Sequence, residues 1–369
     1  MDRDKMTHTQ LTALIWAAML APAAELLPAL TLPAAGKEAW LAPVAAIPLV
    51  LLGGGLLGRL SGERGLAGGL KDAFGPVAGG LVLLLYMVWA EVLLALRLRL
   101  CARRLLASGY RDGSLWFFLL AVAAVTLWIG LGKVGAFART GQLFLTLLLA
   151  TGAVVLLLSL SRMRLERVLP LWSGDVVPVL WSGVPAAGAL GWGIYGAFLL
   201  GQVKPKEKRG RWYGRFWGVG GCLLLALSQL IVLGNLGPTL AGRLEDPFFA
   251  LAKSIGVEGA FQRIESVIVA LWTLADLTMG AMLLFALRIG AAQLKHTVKE
   301  GRVAAVALAL AVLLALVLFP NDMSERWNRE VVPLANLILG LALPFVLLLL
   351  RALLGKRKGK STSCGGRPI

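Results

Sequence analysis

The sequence is poor in the side chains that carry chemistry in soluble enzymes. Its 369 residues include only two histidines, and its three cysteines, Cys101, Cys222 and Cys364, lie far apart without a CxxC spacing. This pattern indicates neither a zinc site nor a framework of disulfides. No serine lies beside a histidine, and no acidic repeat of the kind that binds magnesium-phosphate substrates is present. We therefore expect neither an enzyme nor a protein that depends on a metal or a cofactor.

Charged residues are also scarce. They make up 15% of the chain, against 58% hydrophobic residues, and the mean hydropathy is +0.78. These values predict a polytopic membrane protein. The formal net charge of +17 comes from basic residues in the short gaps between apolar runs. Such residues signal membrane topology better than they signal nucleic-acid binding, for which we expect no role.

Apolar runs long enough to cross a bilayer occur about ten times. The first follows a charged terminal segment and reads as an uncleaved first helix rather than a removed signal peptide. The runs account for nearly the whole chain and predict an all-helical membrane protein. They centre on Ile15–Leu32, Ala39–Leu57, Pro76–Leu96, Leu115–Leu131, Gly141–Leu160, Val176–Leu200, Phe216–Leu236, Ile264–Leu287, Val303–Phe319 and Val331–Leu350.

The basic residues between the spans predict the orientation. Lys and Arg number 23 on the side of the N-terminus and 14 on the opposite side, which places both termini in the cytoplasm. Residues 356–369 form a basic tail with affinity for anionic lipid. One basic cluster, from Arg97 to Arg111, lies on the predicted outer side and so opposes this orientation. Leucines interleave with its arginines, which favours a helix lying in the membrane interface.

Ten spans divide into five and five, and an odd number per half makes the second half enter from the opposite face. We therefore predict one membrane domain, residues 1–355, with inverted repeats at about 10–165 and 166–355. Span six then corresponds to span one, and both contain helix breakers. Pro22 and Pro28 interrupt span one, and Gly183, Pro185 and Gly188 interrupt span six. Such paired breaks indicate a transporter-type binding site near the midplane, although membrane helices in general contain more glycine and proline than soluble ones.

Three acids fall inside apolar runs: Glu25, Glu91 and Asp276. A charge at the centre of a membrane helix costs about 2.5 to 3.5 kcal/mol on insertion scales, so such residues are functional candidates. One of them would bind a ligand ammonium, while the ligand carboxylate would rest on free N–H groups after a helix break. The alternatives are ion pairs between helices or protonated, hydrogen-bonded acids. The predicted ligand site comprises Pro22, Ala23, Ala24, Glu25, Glu91, Gly183, Val184, Pro185, Gly188 and Asp276.

Four short segments follow one another along the chain. They are Leu27-Pro28 before Gly36-Lys37-Glu38-Ala39-Trp40, Gly135-Ala136-Phe137-Ala138-Arg139, Pro170 with Gly174 and Pro178, and Phe261-Gln262-Arg263-Ile264-Glu265-Ser266 before Leu271-Trp272. In this order they resemble the spore germination permease family, the membrane B subunits of bacterial germinant receptors. The departures from the family are Pro22-Ala23-Ala24 where relatives tend to carry glycines, Glu25 at a commonly apolar position, and Tyr110-Arg111-Asp112-Gly113 in place of a Thr-Pro pair.

The resemblance implies a ten-helix, LeuT-like fold of the amino acid/polyamine/organocation transporter superfamily, with helices one and six broken. It also implies a small amino-acid-like germinant, an A subunit and a C lipoprotein subunit as partners, and a place in the spore inner membrane or the plasma membrane. The alternatives are a proton-coupled transporter of amino acids or polyamines, with Glu25 or Asp276 carrying the proton, and, less favoured, a membrane-embedded enzyme. The family motifs assign structural roles to Pro28, Trp40, Arg139, Arg263, Glu265 and Trp272.

Overall fold

The structure is a computed structural model that describes residues 5–109, 113–169, 175–204, 210–254, 264–295, 297–320 and 322–361. Within these ranges the regular structure is helical, apart from two isolated bridges, Met6–Val203 and Gly62–Gly65. The first bridge ties the chain before span one to the end of span six, with Lys204 N donating to the carbonyl oxygen of Met6 at 3.0 Å. These two ends therefore lie on the same side of the bundle.

Each predicted apolar run coincides with a helix, and we call these helices spans one to ten. Eight stretches of the described residues are long and apolar enough to cross a membrane; one of them, His8–Leu60, contains both span one and span two. Span four is shorter but equally apolar. In chain order the ten spans are His8–Ala35, Ala42–Leu60, Gly65–Gly109, Leu115–Leu131, Val134–Leu160, Val176–Gln202, Gly210–Leu236, Ile264–Leu294, Glu300–Val317 and residues 323–361. Two short helices, Pro238–Ala241 and Pro247–Ser254, follow span seven.

Span one differs from expectation, because its helix is continuous from His8 to Ala35 across Pro22, Pro28 and Pro33. It begins at a capping box, in which the Thr7 hydroxyl accepts a hydrogen bond from Gln10 N, and it ends at Gly36 with a positive φ of 54°. Each proline removes only one backbone donor from a helix. Spans five, six, seven and eight pack around this helix, and it remains helical across its prolines. The predicted break in span one is therefore wrong.

Span six is interrupted, as the glycines and the proline predict, but later than the motif suggests. Its first helix, Val176–Ala189, runs through Gly183, Pro185 and Gly188. The chain then continues as a 3₁₀ helix, Gly191–Tyr195, and one α-helical turn, Gly196–Leu199. Glycine is the weakest helix former after proline, and a cluster of glycines favours the tighter geometry at this point.

Span three corrects the interpretation of the arginine cluster. Its helix bends at Gly75, where φ is 82°, and Pro76 starts the part that crosses the bundle. That part continues without a break to Gly109, so Arg97 to Arg104 belong to the spanning helix and not to a separate helix in the interface. Arg111 lies outside the described residues. Arginines are held at this depth because acids from other spans meet them.

Span one is the centre of the bundle, packing against spans five, six, seven and eight, while span three packs against spans four, eight and nine. Large apolar side chains on the outside remain uncovered, among them Trp128 and Phe117, which are 78% and 67% exposed. Such a continuous apolar exterior is typical of a lipid-facing surface. The chain is an integral multi-pass membrane protein. The repeat boundaries at about residues 165 and 166 stay a prediction.

Candidate functional site

A cavity of about 1110 Å³ opens on the side of the bundle that carries the N-terminus. We call it the vestibule. Spans one, two, six, seven and ten form its walls, and it ends against Met19 of span one and Gly191 of span six. The interrupted part of span six therefore forms its inner end. This placement puts backbone that is not in regular α-helix at the bottom of a water-accessible path, which is a setting in which membrane proteins tolerate it.

The vestibule walls are apolar and its mouth is basic. Glycines of span two, including Gly54 and Gly58, line the wall together with Ile15 and Trp16 of span one. The wall is wide because glycine contributes no side chain. Around the mouth the lining changes to charged residues, of which four are basic and one is acidic: Lys5, Arg59, Lys204, Arg215 and Glu63.

None of the ten residues predicted for the ligand site lines this vestibule. Two of the acids lie beyond its inner end, in a cluster of buried and half-buried charges. We use the name charge cluster for Glu25 of span one, Arg97 and Arg104 of span three, and Asp276 of span eight. Three spans that are far apart in sequence thus meet through charged side chains.

Arg104 joins the two acids of the charge cluster. Its Nη2 lies 2.5 Å from Glu25 Oε2, and its Nη1 donates to Asp276 Oδ2. The other carboxylate oxygen of Asp276 accepts a hydrogen bond from Arg97 Nη1 at 3.3 Å. The side chains of Arg97 and Asp276 are only 1% and 2% exposed, so this pair is removed from water. With two positive and two negative charges, the cluster is neutral as a whole.

Arg97 also contacts the interrupted part of span six. Its guanidinium carbon lies 4.3 Å from the centroid of the Trp192 ring, a cation–π geometry. Its Nη2 donates to Asn328 Oδ1 of span ten at 3.4 Å. Trp192 follows Gly191, which lines the vestibule. The Trp192 indole thus lies against Arg97, next to the inner end of the vestibule.

Further charges continue from the cluster to the opposite surface of the bundle. Arg103 Nη2 lies 2.9 Å from Glu325 and 3.2 Å from Asp322, whose side chain is 88% exposed. Asp246 begins the short helix Pro247–Ser254, where its carboxylate accepts a hydrogen bond from Phe249 N at 2.9 Å. Burial of Asp246, and then the nearby Glu25 carboxylate, raise the pKa of Asp246 to about 7. Ion pairs therefore close the bundle on the side away from the vestibule.

Glu91, the third predicted acid, lies elsewhere on span three. It is buried, and its Oε1 has no hydrogen-bond partner among the described residues. It is not part of the charge cluster. A buried carboxyl oxygen without a partner is costly, which makes Glu91 the acid best suited to carry a proton.

The predicted residues of span six serve close packing in this structure. A side chain at Gly183 would meet the backbone of Ala45 at 2.8 Å, and one at Gly188 would meet the carbonyl oxygen of Pro333 at 2.3 Å. Val184 and Pro185 between them are half-buried. In span one, Pro22 and Ala23 are buried and Ala24 is half-buried. The ligand role of these residues stays a prediction.

The family-motif residues occupy varied places. Pro28 is buried within span one, Trp40 is half-buried in the turn Gly36–Leu41, and Arg139 is exposed on span five. Trp272 is buried and stacks on Phe248 of the short helix Pro247–Ser254 at 5.1 Å. Arg263 lies outside the described residues. The side chain of Glu265 also lies outside them, so the structural roles of these two residues stay predictions.

Sequence reasoning missed five of the residues that surround the site: Arg97, Arg104, Trp192, Asn328 and Asn336. Asn336 of span ten donates to the carbonyl oxygen of Gly188 at 3.3 Å and accepts from Trp89 Nε1 at 3.1 Å. Span ten contains two π-helical turns near these asparagines, Trp327–Val331 and Ile338–Ala342. π-Helical turns within α-helices are frequent at functional sites. In the sequence, the presence of polar residues such as Asn328 and Asn336 in an apolar span was the signal that could have identified them.

Several solved structures of membrane transporters share this architecture. Mhp1, a nucleobase-cation-symport-1 family transporter in a closed conformation with bromovinylhydantoin bound, aligns with a TM-score of 0.64 at 12% identity, covering 94% of this chain and 93% of Mhp1. MhsT in complex with L-phenylalanine aligns with a TM-score of 0.62 at 14% identity, covering 90% and 87%. The Eremococcus coleocola manganese transporter aligns with 0.62 at 12% identity, covering 93% and 78%. The fold is therefore that of the LeuT-type transporters.

Residues 5–325 match the family described as "Spore germination protein". Because the match covers most of the chain, the protein belongs to this family of spore permeases. No curated protein matches the sequence. The family and the fold agree with the resemblance carried by the short motifs, and they define a transporter-like membrane protein.

Proposed function

We propose that this protein is the germinant-sensing membrane subunit of a spore germination receptor, and that it binds a small amino-acid-like ligand at the centre of the bundle. The observation that carries the proposal is the meeting of three features at the inner end of the vestibule. The vestibule ends at the interrupted part of span six, and the neutral charge cluster lies directly beyond it. A small polar ligand between them would touch spans one, three, six and eight.

The arrangement also supports a change of state. In this structure the vestibule side, which is the cytoplasmic side when both termini lie in the cytoplasm, is open, and the outer side is closed by ion pairs. A germinant from outside therefore enters in a second arrangement, in which the ion pairs of the outer side are open. A ligand that binds one of two arrangements more tightly shifts the protein toward it. In a sensor, partner subunits transmit this shift. We expect an A subunit and a C lipoprotein subunit as those partners, in the spore inner membrane with both termini of this chain in the cytoplasm.

A second function, proton-coupled transport of amino acids or polyamines, is favoured by one observation. Glu91 is a buried acid whose Oε1 has no partner among the described residues. Glu25 and Asp276, the proton carriers expected from the sequence, are each in contact with an arginine. Protonating either would therefore break an ion pair, and the Asp276 carboxylate is buried. Glu91 is therefore the proton carrier in this alternative.

Counterflow in proteoliposomes separates the two functions. The purified chain is reconstituted alone, preloaded with one L-amino acid, and offered the labelled form of the same compound. A sensor binds the compound, seen as thermal stabilisation, but exchanges none. Robust exchange without partners, lost in Glu91→Gln and kept in Glu330→Gln, which changes an exposed acid, would establish the transporter instead.

The site assignment has its own test. Thermal unfolding of the purified protein is followed across a panel of amino acids and nucleosides, in the wild type and in Glu25→Gln, which removes the carboxylate that Arg104 contacts. We expect stabilising ligands to lose affinity in this variant, because Arg104 then turns toward Asp276 alone and alters the cluster. Equal binding of every ligand by both proteins would contradict the assignment.

A further inference from the structure

Arg97 is the least satisfied member of the charge cluster. A guanidinium has five N–H donors in a fixed fork. Those of Arg97 make two hydrogen bonds, to Asp276 at 3.3 Å and to Asn328 at 3.4 Å, both longer than the usual 2.7–2.9 Å of a charge-assisted bond. Its Nε has no acceptor among the described residues, although the side chain is buried. The donor capacity of Arg97 thus exceeds what its neighbours use.

A second buried donor lies beside it. Trp192 Nε1 is also without an acceptor among the described residues, and its ring stacks on the Arg97 guanidinium. An indole nitrogen can only donate. Two neighbouring unfilled donors, one of them charged, indicate a ligand group that only accepts. A carboxylate has this property and matches the guanidinium fork in a bidentate manner.

We propose that Arg97 binds the carboxylate of the ligand in exchange for Asp276, and that Asp276 Oδ1, released from Arg97, binds the ligand ammonium. The inference rests on the proposed function and names the ligand class for that site. Arg104 keeps the other oxygen of Asp276 in place during the exchange. The ligand inserts into the weakest contact of the cluster and leaves the short Arg104 contacts intact.

Charge balance decides which ligands fit. The cluster holds two positive and two negative charges, and its Arg97–Asp276 pair, where the ligand would insert, is removed from water. An uncompensated charge at such a place is strongly destabilising. A zwitterion brings one charge of each sign and preserves the balance. A polyamine or a simple anion would leave a net charge in the bundle. We therefore expect α-amino acids as ligands and no binding of polyamines.

Access to Arg97 from the vestibule involves Trp192. Gly191 and Gly193 on either side of it both line the vestibule, whereas the indole covers the guanidinium. Rotation of this one side chain, on a glycine-flanked stretch of 3₁₀ helix, would join the vestibule to Arg97. Trp192 is the residue that separates the open cavity from the carboxylate site.

The test uses the full-length protein in lipid nanodiscs and measures thermal unfolding and equilibrium binding. The probes are the twenty L-α-amino acids; each one that stabilises the wild type is then compared with its amide, its decarboxylated amine, and spermidine. We expect the parent acid to bind at least tenfold more tightly than the amide or the amine. Spermidine should give no shift. Arg97→Lys keeps the charge but not the fork and should weaken binding of the amino acid about tenfold or more.

Arg99→Gln is the matched control, because Arg99 is also buried but lies two residues along the helix, on the opposite face. It should leave the affinity within about twofold, and Arg97→Gln should abolish binding. Where Arg97→Gln does not fold, Arg97→Lys and the comparison of acid with amide decide the matter.

Three outcomes count against the proposal. Amides or amines that bind as tightly as their parent acids would overturn the carboxylate site but leave the proposed function standing, since a ligand would have been found. Unchanged affinity in Arg97→Lys would do the same. A protein stabilised by none of the twenty amino acids would overturn the proposed function together with this inference.

Discussion

The two ends of the bundle are built in opposite ways. On the vestibule side, glycines and small residues leave a wide cavity, and charged residues occur only at its mouth. On the other side, arginines of span three reach acids of spans one, eight and ten and fill the space between the helices. One end is open because side chains are small, and the other is closed because charges meet. The contrast shows how one bundle holds a ligand path that is open on one side only.

Chemical accessibility gives the largest expected contrast between the two ends. We predict that Gly58→Cys, in the vestibule wall, reacts readily with a membrane-impermeant maleimide in Cys364→Ser protein. Native Cys101, buried beside the charge cluster, should stay unmodified, because a buried thiol is inert. Labelling is read by mass spectrometry of intact protein and of peptides.

Modification of Cys101 at the rate of Gly58→Cys would show that the ion pairs do not close their end. Native Cys222 is also buried and serves as the internal control for unfolding, because its modification reports a general loss of structure.

Removal of Asp276 should give the largest loss of stability. Asp276→Asn leaves Arg97 and Arg104 without their shared carboxylate, and loss of one partner from a buried ion pair costs about 3–5 kcal/mol. The matched control is Asp322→Asn, which removes an exposed partner of Arg103 and should cost at most about 1 kcal/mol. Thermal unfolding in the same detergent measures both. Equal effects of the two changes would contradict the distinction between buried and exposed pairs.

A methyl group should act oppositely at two glycines. Gly188→Ala places Cβ 2.3 Å from the carbonyl oxygen of Pro333, so we expect overpacking to cost about 1–3 kcal/mol. Gly54→Ala in the vestibule wall meets nothing within 4 Å. It should stabilise span two by about 0.5–1 kcal/mol, since alanine favours a helix more than glycine does. Unfolding midpoints of both variants test this, and a loss at Gly54 would show that the vestibule wall is packed.

The smallest expected effect is a dependence on pH. The pKa of Asp246 is raised from 3.8 to about 7 in the folded protein, so the folded state holds this proton when the unfolded state has released it. Stability from this group is greatest below the unfolded pKa and is lost as the pH rises through about 7. The unfolding temperature should therefore fall between about pH 5 and pH 8. Asp246→Asn, which keeps the helix cap, should flatten the curve, and an unchanged slope would refute the assignment.

The sequence was sufficient for the ten spans and for their family, because hydropathy depends only on local composition. It was also sufficient to select Glu25 and Asp276 as unusual. It did not predict their partners, since Arg104 is 79 residues from Glu25 and 172 from Asp276, and hydropathy counts charges without pairing them. For this reason the sequence pattern favours a helix in the membrane interface for Arg97 to Arg111, whereas the structure places Arg97 to Arg104 within span three.

One signal was present in the arginine cluster. Arg97 and Arg104 are seven residues apart, two helical turns, and share one face of span three, whereas Arg99 and Arg103 lie on another. Two arginines on one face of a helix and two acids in other spans predict a buried pairing. The continuity of span one across its prolines had no such signal, because it depends on packing by neighbours. The same is true of Trp192, whose role follows from its position against Arg97.

The central claim is that a small zwitterion binds between Arg97 and Asp276. The most direct measurement is a cryo-electron microscopy structure of the protein in nanodiscs with the amino acid that stabilises it most. We expect ligand density with its carboxylate on Arg97 and its ammonium on Asp276. Ligand density confined to the vestibule, with the contact between Arg97 and Asp276 intact, would contradict the claim.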